Sequence, residues 1–172
     1  MLLTFQHIRL ATLQTTTLAA IGLLVGVYTV LAFEFRDLAP FTVLDLEFAA
    51  NVERLRQLQV AWGEAGTRSA IESLWVDFLL IPCYVVALGA GALWAGRSLW
   101  PRAAAVVVWG LIVAGVLDVI ENSLLLTQLP VPSSTVLLQL AAVEAGLKFA
   151  LIALAVGFLL AACGRRVLRT NA

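Results

Sequence analysis

The chain is short of charge. Of its 172 residues only 13% are Asp, Glu, Lys or Arg, with eleven of each sign and a formal net charge of zero. A soluble domain of this length needs more polar surface than that to coat its exterior. The balance also lacks the basic excess of a nucleic-acid binder, so no nucleic-acid partner is expected. Histidine occurs once, at His7, and cysteine twice, at Cys83 and Cys163, with no CxxC spacing. A Cys/His zinc site or haem ligation has no ligand set to draw on, and no cofactor is expected. What fills the sequence instead is apolar. Hydrophobic residues make up 62%, against ~45–50% in soluble domains, and the mean hydropathy is +0.98.

Four runs are long enough to cross a hydrocarbon core of ~30 Å, which takes ~20 helical residues. They lie at about 10–33, 74–95, 103–126 and 136–163. The first has no charge, the second only Asp77, the third Asp118 and Glu121 near its end, and the fourth Glu144 and Lys148. Pro101 and the Pro130/Pro132 pair fall in the connections, where proline precedes or ends helices. A barrel would show ~10-residue alternating segments instead. The pattern predicts an all-α polytopic membrane protein, a single membrane domain over 1–172 built as a four-transmembrane-helix bundle. A cleaved leader ending at Val30-Leu31-Ala32 is an alternative reading of the first run; its length favours a span.

Basic residues set the expected orientation. Arg9, then Arg97 and Arg102, then Arg165, Arg166 and Arg169 mark the N-terminal tail, the second connection and the C-terminal tail, none of which contains an acid. Both termini are therefore expected in the cytoplasm, with the protein multi-pass in a cell inner membrane. The loop 34–73 and the uncharged connection near 127–135 then lie outside.

Within the long outer loop, Val52, Leu55, Leu58 and Trp62 mark one face of a short amphipathic helix. Asn51 is its candidate N-cap, and Gly63 and Gly66 are candidate stops. Such a helix either lies on the outer leaflet with Trp62 at headgroup level or forms a lid over a pocket. Asp45 and Glu47 alternate with Leu44 and Leu46 as in a short extended piece, and two acids in a loop are expected to be solvated.

Ionisable side chains inside a bilayer are costly and nominate a functional site. Counting along the helices places Asp118 and Glu144 roughly 12 Å below the outer boundary, with Lys148 deeper and Asp77, Glu121 and Asn122 shallower. Asp118, Glu121 and Asn122 share a face, and Tyr84 is aligned with Asp77. Glu144 and Lys148 form an i, i+4 pair in the favourable order, the expected neutralised pair of the site. Pro82 is expected to kink the second span. On the first span Thr15, Gly22, Gly26 and Thr29 form a small-residue face, so Gly22 and Gly26 are candidate helix–helix contacts. Four buried carboxyls against one lysine demand protons, water or a cationic group.

Several of these segments resemble one family. Glu47-Phe48-Ala49-Ala50 with Glu53-Arg54, Ala61-Trp62-Gly63, Val76-Asp77-Phe78-Leu79 with Ile81-Pro82 and Tyr84, Asp118-x-x-Glu121-Asn122 and Lys148-Phe149 are similar to a family of small bacterial four-span membrane proteins with no assigned activity. The resemblance covers about residues 43–152. It implies four spans and weight on these polar positions, and it supplies no reaction.

Three functions fit the pattern. The first is a binding or catalytic pocket for a lipid-like or isoprenoid-like amphiphile, so that the partner is a membrane lipid or an apolar small molecule. Asp118, Glu121 and Glu144 are then the candidate catalytic groups, a buried protonated carboxyl serving as general acid beside an ionised neighbour. Asp77, Tyr84, Asn122, Lys148 and Trp62 are the candidate ligand contacts. Whether any reaction is catalysed stays open. The second is a non-catalytic subunit or assembly factor of a membrane complex, and the third a proton- or cation-coupled transporter. A bound metal is not expected, since Lys148 opposes it.

Overall fold

The computed structural model describes residues 12, 17–19, 21–22 and 38–170, with side chains as far as 165. Among these residues the elements are all helical: α1 (Val43–Glu47), α2 (Val52–Gly96), α3 (Pro101–Gln128) and α4 (Thr135–Thr170). Three of them, α2, α3 and α4, are long and apolar enough to cross a membrane. The 28 residues of α3 rise about 42 Å, enough for the hydrocarbon core and both interfaces. Of the expected first span, Thr12, Thr17–Ala19 and Ile21–Gly22 are helical, and the rest lies outside the described residues. Gly22 is exposed, and a Cβ placed on it meets no atom within 4 Å. Gly26 lies outside the described residues.

Helix ends follow local chemistry. Asn51 Oδ1 accepts the Arg54 backbone N–H at 2.8 Å, capping α2 where the sequence predicts it. Pro101 opens α3 at a position where its missing N–H costs nothing. At the far end of α3, Gln128 Oε1 accepts the backbone N–H groups of Ser133 and Ser134 at 3.0 and 2.9 Å, closing the turn into α4. Residues 43–47, expected as extended, form α1 instead. Asp45 Oδ2 accepts from the Thr42 backbone N–H at 2.8 Å and from its hydroxyl at 2.9 Å, and this local cap outweighs the alternation.

Gly63 interrupts α2. Its φ of 66° and ψ of −166° belong to a region open essentially to glycine alone, and helix resumes at once towards Gly96. Pro82, expected to kink the second span, lies within the helix, and Gly63 is the residue of α2 with non-helical dihedrals. Of the two candidate stops, Gly66 is an ordinary buried helical residue.

The short helix before Gly63 packs on protein. Leu55, Leu58 and Trp62 join Leu38, Leu46, Ala49, Ala70, Leu74, Leu125, Leu129, Leu138 and Ala141 in one buried cluster. The Trp62 indole donates to the Leu38 carbonyl at 2.7 Å. This corrects the reading of an apolar face laid on lipid with Trp62 at headgroup level: the same stripe caps the loop end of α2, α3 and α4.

The opposite end is held by small residues. Ala87, Ala90, Ala92 and Ala95 on α2, Ala104 and Ala105 on α3 and Ala155 and Ala162 on α4 are all buried. A Cβ on Gly96 would lie 2.7 Å from the Phe158 ring and 2.8 Å from Ala104, so only glycine permits this approach. Arg165 sits over the Trp100 ring at 4.8 Å, so the α2–α3 connection and the C-terminal part of α4 share this end.

Gly63→Ala should lower stability by roughly 1–3 kcal/mol, the cost of a side chain in that backbone region. Gly146→Ala, at an exposed helical site with open space for a methyl group, should leave stability unchanged or raise it. Thermal unfolding of both variants in one detergent checks the contrast; equal effects would mean that Gly63 is not strained.

Candidate functional site: a lysine among carboxylates

The polar residues of α2, α3 and α4 meet at the loop end of the bundle, centred on Lys148. Its side chain is 3% exposed. The ammonium donates to Asp118 Oδ1 at 2.7 Å and to Glu47 Oε1 at 3.3 Å, and Glu121 Oε2 lies 2.7 Å away as an ion-pair contact. Asp118 uses its other oxygen to accept the Tyr84 hydroxyl at 3.1 Å. Asn122 donates through Nδ2 to Asp77 Oδ2 at 2.8 Å. Asp118, Glu121 and Asn122 reach the site because their i, i+3, i+4 spacing puts them on the buried face of α3, with Leu111, Ala114 and Gly115.

Of the sequence-derived candidates, the structure gathers Tyr84, Asp118, Glu121 and Lys148 into one polar set and pairs Asn122 with Asp77 beside it. Two candidates fall elsewhere. Trp62 belongs to the apolar cap described above. Glu144 is buried one turn before Lys148, but the expected Glu144–Lys148 ion pair does not form, and Glu144 Oε2 has no hydrogen-bond partner. The lysine stem extends across to α3 and α1, where three carboxylates are available against one on its own helix.

Glu47 was missed by sequence reasoning. Expected as a solvated loop acid, it is buried, and it spans 101 residues of sequence to reach Lys148. The available signal is Thr42-x-x-Asp45 ahead of an apolar residue, a helix-start pattern that turns 43–47 from an extended piece into a helix. Phe48 beside it stacks on Phe149, the neighbour of Lys148, with ring centroids 6.2 Å apart.

The site has more acceptors than donors. Glu47 Oε2, both oxygens of Glu121, Asn122 Oδ1 and Glu144 Oε2 are buried without a hydrogen-bond partner. Glu47, Asp118 and Glu121 contact one lysine, with Asp77 beside them and Glu144 buried a turn away, and a low-dielectric setting does not sustain that excess as bare charge. Outside the three long apolar helices, burial pushes the Glu47 carboxyl up to about 7, against the attraction of Lys148 and with added repulsion from Asp77 and Asp118. The exposed Asp45 moves the other way, held below its ordinary value by the Thr42 hydrogen bonds and by Arg54.

Among the described residues, no group of His, Cys, Asp and Glu side chains has the arrangement of a metal site. Among the described residues, buried charged, Ser, Asn and Gln side chains lie in the loop half; towards the Arg97 and Arg165 end the packing is Ala, Gly and larger apolar residues. Beside the cluster, a groove of about 340 Å³ between α2 and α3 is lined by Ile81, Pro82, Val85, Ile112, Gly115, Val116, Val119 and Ile120. Tyr84 stands between groove and cluster: its hydroxyl bonds Asp118 and lies 3.9 Å from where a Cβ on Gly115 would sit. Comparison with family models, curated proteins and solved structures returns no match.

Lys148→Met should cost about 3–5 kcal/mol, because it leaves Asp118, Glu121 and Glu47 buried without their cation. Arg54→Met removes the half-exposed Asp45 pair, at 3.4 Å, and should cost no more than about 1 kcal/mol. Comparable losses in a thermal melt would contradict the buried-cluster description.

Glu47 also has a definite pH signature. A carboxyl whose folded-state value is raised contributes most below its ordinary value of 4.5 and loses that contribution as pH rises through about 7. The stability difference between wild type and Glu47→Gln should therefore fall, relative to the variant, across this window and level off above about pH 8. A difference independent of pH would show that Glu47 is solvated in the native protein.

Proposed function

We propose that the chain is a four-span protein of a cell inner membrane, with both termini cytoplasmic, and that it binds a lipid-like amphiphile at the Lys148 cluster. The first expected run supplies the fourth span. Arg97, Arg102 and Arg165 at one end of the bundle, with the acid-rich loop at the other, support the orientation. Membership of the small bacterial four-span family that the polar segments resemble is part of the same proposal.

The observation that carries the binding reading is the junction at Gly115. A wholly apolar groove, at the lower end of the ~300–1,000 Å³ typical of small-molecule pockets, runs beside a buried cluster of convergent polar groups. At Gly115 the two lie close together, with Val85 and Ile81 packed against the glycine and the Tyr84 hydroxyl between groove and cluster. An amphiphile needs these two environments side by side: a chain in the groove and a polar head reaching Tyr84, Asp118 and the groups beyond. α1 closes the loop end through Glu47, which leaves the membrane face as the route of entry. Asp118, Glu121 and Glu144 are the groups available for acid–base work on a bound head, should the ligand be a substrate. A conduit through the bundle has less support, since the buried polar groups described stop halfway.

Val116 lines the groove from an exposed position, so a larger side chain there fills it without disturbing the core. Native mass spectrometry of protein extracted in mild detergent should show wild type retaining one bound lipid-sized molecule and Val116→Trp retaining none. Wild type with no bound molecule, or equal retention by a folded Val116→Trp, would count against the reading.

A further inference from the structure

The unpartnered atoms of the cluster share one character: all are carboxyl or amide oxygens, which accept hydrogen bonds wherever the carboxyl is ionised. Glu121 is fully buried, yet Oε1 has no partner and Oε2 touches Lys148 without hydrogen-bond alignment. Asn122 is also fully buried. Asp77 accepts from its Nδ2, which fixes the amide orientation, because a carboxylate would repel the carbonyl oxygen. The oxygen left unpartnered is therefore Oδ1, an acceptor. Glu47 Oε2 adds a third such group. Among the described residues, every buried nitrogen or oxygen of the cluster without a hydrogen-bond partner is an oxygen.

Charge points the same way. An anionic head, such as a phosphate, would add negative charge to a buried set that already holds several carboxyls for one ammonium. A hydroxyl head supplies one donor and no charge. A primary ammonium supplies three donors and one positive charge in a volume close to that of a water molecule. It meets both deficits with little room required, and the adjoining groove is apolar along its whole lining and offers a chain nothing but hydrocarbon contacts.

Resting on the amphiphile reading above, we propose that the ligand is a long-chain amine, its ammonium received by Glu121, Asn122 and Glu47 and its chain lying in the Gly115 groove between α2 and α3. The head passes Tyr84, whose hydroxyl then shares Asp118 with Lys148 at the margin of the ammonium site. Lys148 keeps Asp118 and leaves to the ligand the acceptors it does not satisfy. The selectivity follows from electrostatics: amines are drawn in, phosphates are repelled, and alcohols fall between.

The test measures binding of dodecylamine, dodecanol, dodecyl phosphate and butylamine to the full chain in nanodiscs of a zwitterionic phospholipid, with empty nanodiscs subtracted. Dodecylamine is expected to bind at least about tenfold more tightly than each of the other three. Glu121→Gln, nearly isosteric, is expected to reduce the preference for amine over alcohol, and Val116→Trp to weaken dodecylamine and dodecanol alike. Dodecanol or dodecyl phosphate binding as tightly as the amine overturns the head assignment while leaving an amphiphile pocket. Butylamine binding as tightly as dodecylamine overturns the role of the chain. If none of the four binds, the amphiphile reading itself fails. The wild-type ranking decides these outcomes even if Glu121→Gln does not fold.

Discussion

A buried ammonium is stable only where carboxylates surround it, and Lys148 has no alternative once α4 is packed. Removing such a group from water costs several kcal/mol, which hydrogen bonds and opposite charge must offset. Asp118 at 2.7 Å and Glu121 at 2.7 Å come from α3, and Glu47 at 3.3 Å comes from α1. One cation therefore sets the rotation of α4 against α3 and ties α1 to α4. A slip of one residue in either helix would rotate it by about 100° and swing the acid or the base out of reach. The ion cluster specifies the arrangement, and the apolar packing holds it.

That constraint divides the bundle into two regions of different chemistry. At the loop end, large residues such as Leu55, Leu58, Leu125 and Leu138 build a cap over the polar groups. At the other end, Gly96 and the alanines let the helices approach closely. The groove lies between these regions, where Gly115 leaves α3 bare and Val85 and Ile81 of α2 stand 3.0 and 3.3 Å from where its Cβ would be. Tyr84 belongs to both settings, its ring beside the apolar wall and its hydroxyl on Asp118. Position, more than composition, makes this tyrosine the hinge between a hydrocarbon surface and the charged interior.

How much of this could be read from the sequence varies with the range of the interaction. The three long apolar helices follow from uninterrupted runs, because bilayer thickness acts on each run separately. The Asp118, Glu121 and Asn122 face follows from helical geometry alone, as does the Asn51 cap. The Glu144–Lys148 pair shows where such reasoning stops. An i, i+4 rule describes neighbours on a solvated helix, but a buried lysine turns to whichever carboxylates tertiary packing offers. Glu47 is the converse case: its partner lies 101 residues away, and no local pattern records that distance. The Trp62 stripe was legible as amphipathic, yet its partner was not, because a stripe suited to lipid is equally suited to a protein surface. Gly63 and Gly66 look equivalent in sequence, and only the path of the chain into the membrane-sized helix decides which one takes the break.

Lys148 holds α1 onto the bundle by charge. Hydrogen–deuterium exchange of the backbone amides in residues 43–49 tests it most directly, comparing wild type with Lys148→Met in the same detergent. Exchange in that segment should be faster in the variant, with the middle of α3 still protected. Unchanged protection of residues 43–49 in a folded Lys148→Met protein would contradict it.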